Sequence, residues 1–542
     1  MALVAVVMVA SGCSAGRWMK NGFKVGPDYK KPVAPVAETW IDFNDPRVIA
    51  APVDDRAWWT AFNDPVLTDL VHATYEGNLE LAAQGQRVLE YRAMRAMFAG
   101  NLFPQVQTID GFSKRLQISQ DGNLSGVPLP ERAFNLWNVG PAIQWELDVW
   151  GRLRRRVEQA DAEVERQTEL YDDILAIALT ETARAYVNVR AAEEYVRLAD
   201  QNVQIQKGSL ELAEKRFAAG AVGQLDVTQA ESTLRETTAL IPQFQRDLRQ
   251  ANNELCVLLG RPTADLKPAM GEGRIPVVPA SVAVDIPGQL LRRRPDIRAA
   301  ERAVASSSAE IGVAVSDLYP HFSIDGSFSW TANEVPELFS GQSFGGIIGP
   351  SFRWDILNYG RLRNNINRQE ARFQQAAFAY QQTVLKANKE VEQALVAFLK
   401  SQERAHELGL AVDATRKSVD LAVIQYREGA IDFERIFNLQ NVLVRQQIDQ
   451  ARARAEISLA LIEVYRALRG GWQVRLGGPM PQGVAGVEAV PLGPQVPGET
   501  TQPADGPVEL LPPVTPEPSA ALEPAMGGWA RDAGIVRLES LE

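Results

Sequence analysis

Four long stretches of the chain carry apolar residues on a seven-residue cycle. Residues 152–217 contain no proline and one glycine, Gly208. Within them Leu153, Val157, Ala160, Val164, Tyr171, Ile174, Ala178 and Ala185 follow the 4–3 spacing of a coiled-coil seam. After a break at residues 220–223, Val227, Leu234, Ile241, Leu248 and Leu255 stand seven apart, and Ala230, Phe244, Ala251 and Leu258 fill the partner positions. Pro242 lies inside this second stretch and predicts a local kink. The scheme returns over residues 361–427, turns at Gly429, and runs back over residues 433–468. A helix over residues 152–217 would be about 100 Å long at the α-helical rise. Rods of that length serve a column better than a compact core.

Between the rods the period changes to two. Trp137, Val139, Pro141, Ile143, Trp145 and Leu147 alternate with residues that include Asn138, Gln144, Glu146 and Asp148. Phe322, Ile324, Phe328 and Trp330 alternate with Ser323, Asp325, Ser327 and Ser329, and Ile348, Pro350, Phe352, Trp354 and Ile356 with Gly349, Ser351, Arg353 and Asp355. These segments predict strands with one apolar face, about as long as a membrane-crossing β-strand. Residues 105–117 alternate poorly and are read as a strand only because their counterpart in the second half is one. Period two is equally compatible with a sheet packed on a soluble core.

The halves repeat. Trp145-Glu-Leu-Asp-Val-Trp-Gly151-Arg-Leu-Arg returns as Trp354-Asp-Ile-Leu-Asn-Tyr-Gly360-Arg-Leu-Arg, 209 residues on. Arg216-Phe-Ala-Ala-Gly220 returns as Tyr426-Arg-Glu-Gly429 with its final glycine again 209 on, and Asn101-Leu-Phe-Pro104 as Asp317-Leu-Tyr-Pro320, 216 on. Each half reads helix, strand pair, two long helices. That unit is far longer than a solenoid repeat, so duplication of a whole half is the better account.

Composition removes several function classes. A net charge of −11 over 542 residues argues against nucleic-acid binding, which needs a basic surface. Two cysteines, Cys13 and Cys256, give neither a disulfide framework nor a cysteine metal site. His72, His321 and His406 are scattered, so no triad, metal site or cofactor is expected. No nucleophile elbow, P-loop or zinc motif occurs. Asp172 and Asp173 are adjacent acids on a helix, pointing to different sides and expected to face solvent. Cys256 sits beside the seam as a packing residue. No run of 18 apolar residues exists, so no transmembrane helix is expected. Residues 1–12 read as a secretion signal, and Ala10-Ser11-Gly12-Cys13 resembles a lipobox with Cys13 as lipid attachment site.

Four strands per chain cannot close a membrane barrel, because lipid leaves an open edge unsatisfied and known barrels start at about eight strands. Subunits must therefore pool strands. Mainly α with a membrane β-barrel part is the expected fold class.

Val25-Gly-Pro-Asp-Tyr-Lys-Lys-Pro32, Trp58-Trp-Thr-Ala-Phe-Asn-Asp-Pro65 with Leu67, Leu225-Asp-Val-Thr-Gln-Ala230 and Leu291-Arg-Arg-Arg-Pro-Asp-Ile-Arg-Ala-Ala-Glu301 are similar to the motifs of TolC/OprM-type outer-membrane efflux proteins, the NodT-like lipoprotein group. Pro295 suits the first turn of a helix, and the arginines before it are expected to form structural ion pairs. The resemblance covers roughly residues 20–472. It implies a homotrimer: a twelve-stranded barrel in outer-membrane lipid over an α-helical barrel through the periplasm. It further implies a periplasmic adaptor protein and an inner-membrane pump of the resistance-nodulation-division class, with small toxic compounds as cargo. The nearly closed periplasmic tip carries over onto Gly220, Gly223, Asp226, Tyr426, Gly429, Asp432, Glu434 and Asn438. Relatives often place an acid at the position of Asn438, and Glu434, one turn earlier, is expected to supply that charge here. The expected organisation is a lipoprotein segment at 13–66, a first repeat at 67–261 (strands within about 103–148), a linker at 262–284, a second repeat at 285–472 (strands within about 318–356) and a disordered tail at 473–542. Two other readings share parts of this pattern: a duct for type I protein secretion, and a periplasmic coiled-coil scaffold that never enters a membrane.

Overall fold

A computed structural model describes residues 15–50, 55–119, 133–284, 287–288 and 293–476. The expected signal, Cys13 and nearly all of the expected tail lie outside these residues. The described chain opens with a short helix α1 (Ala15–Lys20) and strand β1 (Val48–Ala50). Helices α2 (Pro65–Gly77) and α3 (Leu79–Gly100) precede the hairpin β2 (Val106–Gln117) and β3 (Ala133–Leu147). The first rods are α4 (Arg152–Ala218) and α5 (Gln224–Leu258). A connection holding α6 (Lys267–Met270) and β4 (Val282–Val284) leads to α7 (Pro295–Ser316). Strands β5 (His321–Ala332) and β6 (Phe344–Arg353) and rods α8 (Arg361–Arg427) and α9 (Phe433–Leu468) complete the second half. Among the described residues no helix is long and apolar enough to cross a membrane.

Both outgoing rods are 67 residues long. The seam read from sequence lies inside: Leu234, Phe244, Ala251 and Leu255 of α5 are buried. Helix α5 continues through Pro242 without a break. Asp64 starts α2 by accepting from the Val66 and Leu67 amides, with Pro65 at the first helical position. Pro295 does the same for α7, and Cys256 is fully buried.

The strands form one antiparallel sheet in the order β2-β3-β5-β6. The hairpins meet along β3 and β5, from Trp137↔Ala332 to Leu147↔Phe322. The ladder passes over Gly140 and Pro141, where proline has no N–H to give. There the backbones come so close that a Cβ on Gly140 would lie 1.9 Å from the Phe328 carbonyl oxygen. Gly140→Ala is therefore expected to separate the hairpins and abolish recovery of folded protein, read as loss of the heat-modifiable band on a gel. Residues 105–117, assigned by repeat alone, do form a strand, Val106–Gln117.

Duplication is visible at atomic detail. The Trp145 indole donates to the Leu102 carbonyl at 3.2 Å, and its counterpart Trp354 donates to Leu318 at 3.0 Å. Glu146 pairs with Arg152 at 2.5 Å, and Asp355 with Arg361 at 3.4 Å. Gly151 and Gly360 both precede their rods at φ 80°, a conformation that favours glycine.

The main apolar core sits at mid-height, where Trp58, Trp59 and Leu67 pack against Leu175, Leu179, Val187, Phe398 and Leu461. Two expectations are corrected here. Asp172 and Asp173 do not face solvent: Asp172 is fully buried against Arg475, and Asp173 meets Arg469 at 2.7 Å. Residues 473–476, placed in the disordered tail, belong to an ordered turn, Trp472–Leu476, that supplies Arg475. Within the connection between the two repeats, β4 pairs in parallel with β1. Of the arginines before Pro295, Arg294 forms the expected ion pairs: buried, it bonds Asp296 at 2.6 Å and Glu390 at 2.8 Å, while Arg292 lies outside the described residues. The segment before β1 straps the halves together, with Arg155 bonding the Val25 carbonyl and Asp28, and Lys31 bonding Glu301.

Candidate functional site: the helical tip

At the end far from the sheet each rod pair turns sharply, and the two turns use one device. Helix α4 closes with Gly220 at φ 68°, its N–H bonded to the Phe217 carbonyl and that of Ala221 to Arg216, each at 2.9 Å. Helix α8 closes with Gly429 at φ 79°, its N–H bonded to Tyr426 at 3.0 Å and that of Ala430 to Gln425 at 2.9 Å. Both satisfy the last helical carbonyls through a left-handed glycine. The returning helices start at Gly223 and Asp432 in extended backbone, and neither residue makes a side-chain cap. Asp226 and Glu434 lie in the first turns of α5 and α9, where negative charge is favoured by the helix dipole.

Six buried residues weld the two hairpins: Ala213 of α4, Ala230 of α5, Ala422 and Tyr426 of α8, and Phe433 and Ile436 of α9. Tyr426 is the hub. Its ring meets Phe433 edge-on at 5.5 Å, and its hydroxyl donates to Asp226 Oδ2 at 2.9 Å, bridging the second-half hairpin to the first. Burial first, and the bond to the Asp226 carboxylate second, push its phenol above the ordinary value. The Arg216 guanidinium lies 4.5 Å above the same ring and donates to the Tyr426 carbonyl. So the structure joins Asp226 and Tyr426 directly and puts Gly220 and Gly429 at the turns. Glu434 and Asn438 are exposed, one turn apart on one face of α9, and stand apart from the Tyr426 cluster. Arg216 and Phe433 were not singled out by sequence reasoning. The only signal for Arg216 was its place in the repeated turn motif.

Exposed apolar side chains flank the turns: Phe217 and Leu225 in the first half, Leu421 and Ile424 in the second. Among the described residues no cluster of acids, histidines and cysteines could hold a metal ion.

An open four-stranded sheet of membrane-crossing length, continued by paired long rods that end in a tip, defines a channel-forming protein with a barrel part and a helical-column part. A family model described as "Outer membrane efflux protein" matches residues 70–261 and 286–470, and the chain belongs to that family. It is an outer-membrane efflux channel protein. Among curated relatives it is 29% identical to "Nodulation protein T" of Rhizobium leguminosarum bv. trifolii, covering 80% of this chain and 92% of the relative. It is 29% identical to "Outer membrane protein OprJ" of Pseudomonas aeruginosa, over 83% of this chain and 93% of that one. It is 28% identical to "Cation efflux system protein CusC" of Escherichia coli O157:H7, over 84% and 96%. A solved structure described as the outer-membrane channel OprN superposes with a TM-score of 0.77 at 32% identity, covering 83% of this chain and 99% of that chain.

Proposed function

We propose that three copies of this chain form a passive duct that carries small toxic compounds across the periplasm and outer membrane. The observation that carries this reading is the sheet β2-β3-β5-β6, whose outer strands β2 and β6 have no partner within the described chain. An open edge in lipid leaves a row of backbone groups unsatisfied, each at a cost of several kcal/mol. Three copies close the wall with twelve strands, and their rods continue it as a helical barrel. A lipid on Cys13 adds an anchor to the barrel.

The tip is the gate. Asp226 and Tyr426 hold the two hairpins of each copy together, and Glu434 and Asn438 line the aperture. The exposed Phe217, Leu225, Leu421 and Ile424 offer a periplasmic adaptor its docking surface, and an inner-membrane pump of the resistance-nodulation-division class supplies the energy. Channels reconstituted in a planar bilayer test this. The native protein should pass a small, cation-preferring current. Glu434→Ala should raise the closed-state conductance by widening the aperture with a shorter side chain, and should weaken the cation preference, since each charge near the pore attracts a cation by about 1 kcal/mol even in water-like surroundings. A Glu434→Ala channel with native conductance and selectivity would remove Glu434 from the aperture.

A further inference from the structure

The duplicated halves are not equally covered where the sheet joins the rods. In the first half Trp150 is 4% exposed. Its ring stacks on Tyr319, which leads into β5, at 4.6 Å and 26°, and its indole N–H donates to the Pro320 carbonyl at 2.8 Å. Tyr319 is also 4% exposed. The residue matching Trp150 in the second half is Tyr359, 209 positions on, and it is 97% exposed. The residue matching Tyr319 in the first half is Phe103, 216 positions earlier, and it is 68% exposed. Tyr359 is moreover held at φ 49°, a backbone region that bulky residues seldom occupy. The joint between the first half's Trp150 and the second half's Tyr319 is thus finished within the chain, whereas the reciprocal pair, Tyr359 of the second half and Phe103 of the first, is left exposed.

We infer that Tyr359 of one copy stacks on the neighbouring copy's Phe103, repeating between copies the Trp150–Tyr319 joint within each chain. This rests on the trimeric reading above and specifies its seam. The chain's connectivity fixes which surfaces meet. Within one chain β3 of the first half pairs with β5 of the second, and Trp150 and Tyr319 flank that pair at its rod end. The same step taken once more brings β6 to the neighbouring copy's β2. Tyr359 follows β6, and Phe103 precedes β2. The Pro104 carbonyl of that neighbour then matches Pro320, and the Tyr359 hydroxyl replaces the indole as its donor.

The rods below carry an independent sign of the same seam. Within the chain α4 meets α7 through Glu169–Arg298, Glu165–Arg302 and Gln159–Glu310. Carried over by the two offsets, the facing helices become α8 of one copy and α3 of the next. On those helices Phe378, Leu385, Leu89 and Met97 are 65%, 48%, 51% and 71% exposed. Apolar side chains thus line both surfaces that the repeat would bring together, so a second copy is the occupant they suit.

The test is cross-linking between copies that carry different tags. Tyr359→Cys in one tagged chain and Phe103→Cys in the other are expressed together in a Cys256→Ala background and treated in membranes with a short bismaleimide. Dimers carrying both tags are expected, with a yield several-fold above that from either single variant alone. Native mass measurement of the same sample separates the two claims. A trimer without the mixed-tag dimer would overturn this joint and leave the trimer standing. A monomer would overturn both.

Discussion

Tyr426→Phe is expected to raise the open fraction of the tip about tenfold or more for each hairpin pair released. The substitution keeps the ring against Phe433 and beneath Arg216, and it removes only the hydroxyl that bonds Asp226. A hydrogen bond to a charged acceptor contributes about 1.5–3 kcal/mol, and about 1.4 kcal/mol is a factor of ten. Asp226→Asn should act in the same direction more weakly, because the amide oxygen still accepts. Tyr426→Ala should exceed both, since it also empties the cluster that joins all four rods. The readout is single-channel conductance in a bilayer. If all three variants conduct like the native protein, the Tyr426–Asp226 bond is not the latch.

Arg294→Met should be the most destabilising single change in the upper column. The guanidinium is 1% exposed and bonds Asp296, Glu390 and the Ala467 carbonyl, so it ties the start of α7 to α8 and to the end of α9. Removing the buried guanidinium costs up to about 3–5 kcal/mol, because the Asp296 carboxylate, 19% exposed, loses its partner while largely desolvated, whereas Glu390 at 39% exposure turns to water. Arg294→Lys should recover only part of this, since a single ammonium cannot present the planar fork that serves several acceptors at once. Denaturant midpoints measured for the three proteins give the comparison. The acid side follows from Asp296. Burial alone would raise its carboxyl, and Arg294 more than offsets this, so its native value lies below the ordinary one. Its contribution is therefore complete above about pH 4, where the unfolded carboxyl is ionised, and is lost as pH falls through the native value. Arg294→Met should remove this acid-side loss.

What the sequence disclosed depended on how local the determining contacts are. The bounds of the rods at residues 361–427 and 433–468 were read correctly because heptad spacing and a closing glycine are written within a few turns. The β2 strand is all but uniformly exposed and carries little alternation, so only its repeat partner disclosed it. Asp172 and Asp173 were misread because the arginines that neutralise them, Arg475 and Arg469, lie some 300 residues away. The β1–β4 pair was invisible for the same reason, each strand being three residues long and useless alone. At the tip the glycines announced the turns, whereas the reach of Tyr426 to Asp226 became apparent only once the hairpins were laid side by side.

Twelve strands pooled from three chains is the claim on which the gate, the joint at Tyr359 and the adaptor surface all depend. It is tested most directly by the mass of the full-length protein extracted from membranes in mild detergent. A particle holding three copies of the 59.6 kDa chain, less any cleaved signal, is the predicted result. A folded single copy that stays in solution without detergent would contradict it, because its sheet edges would then need no neighbour.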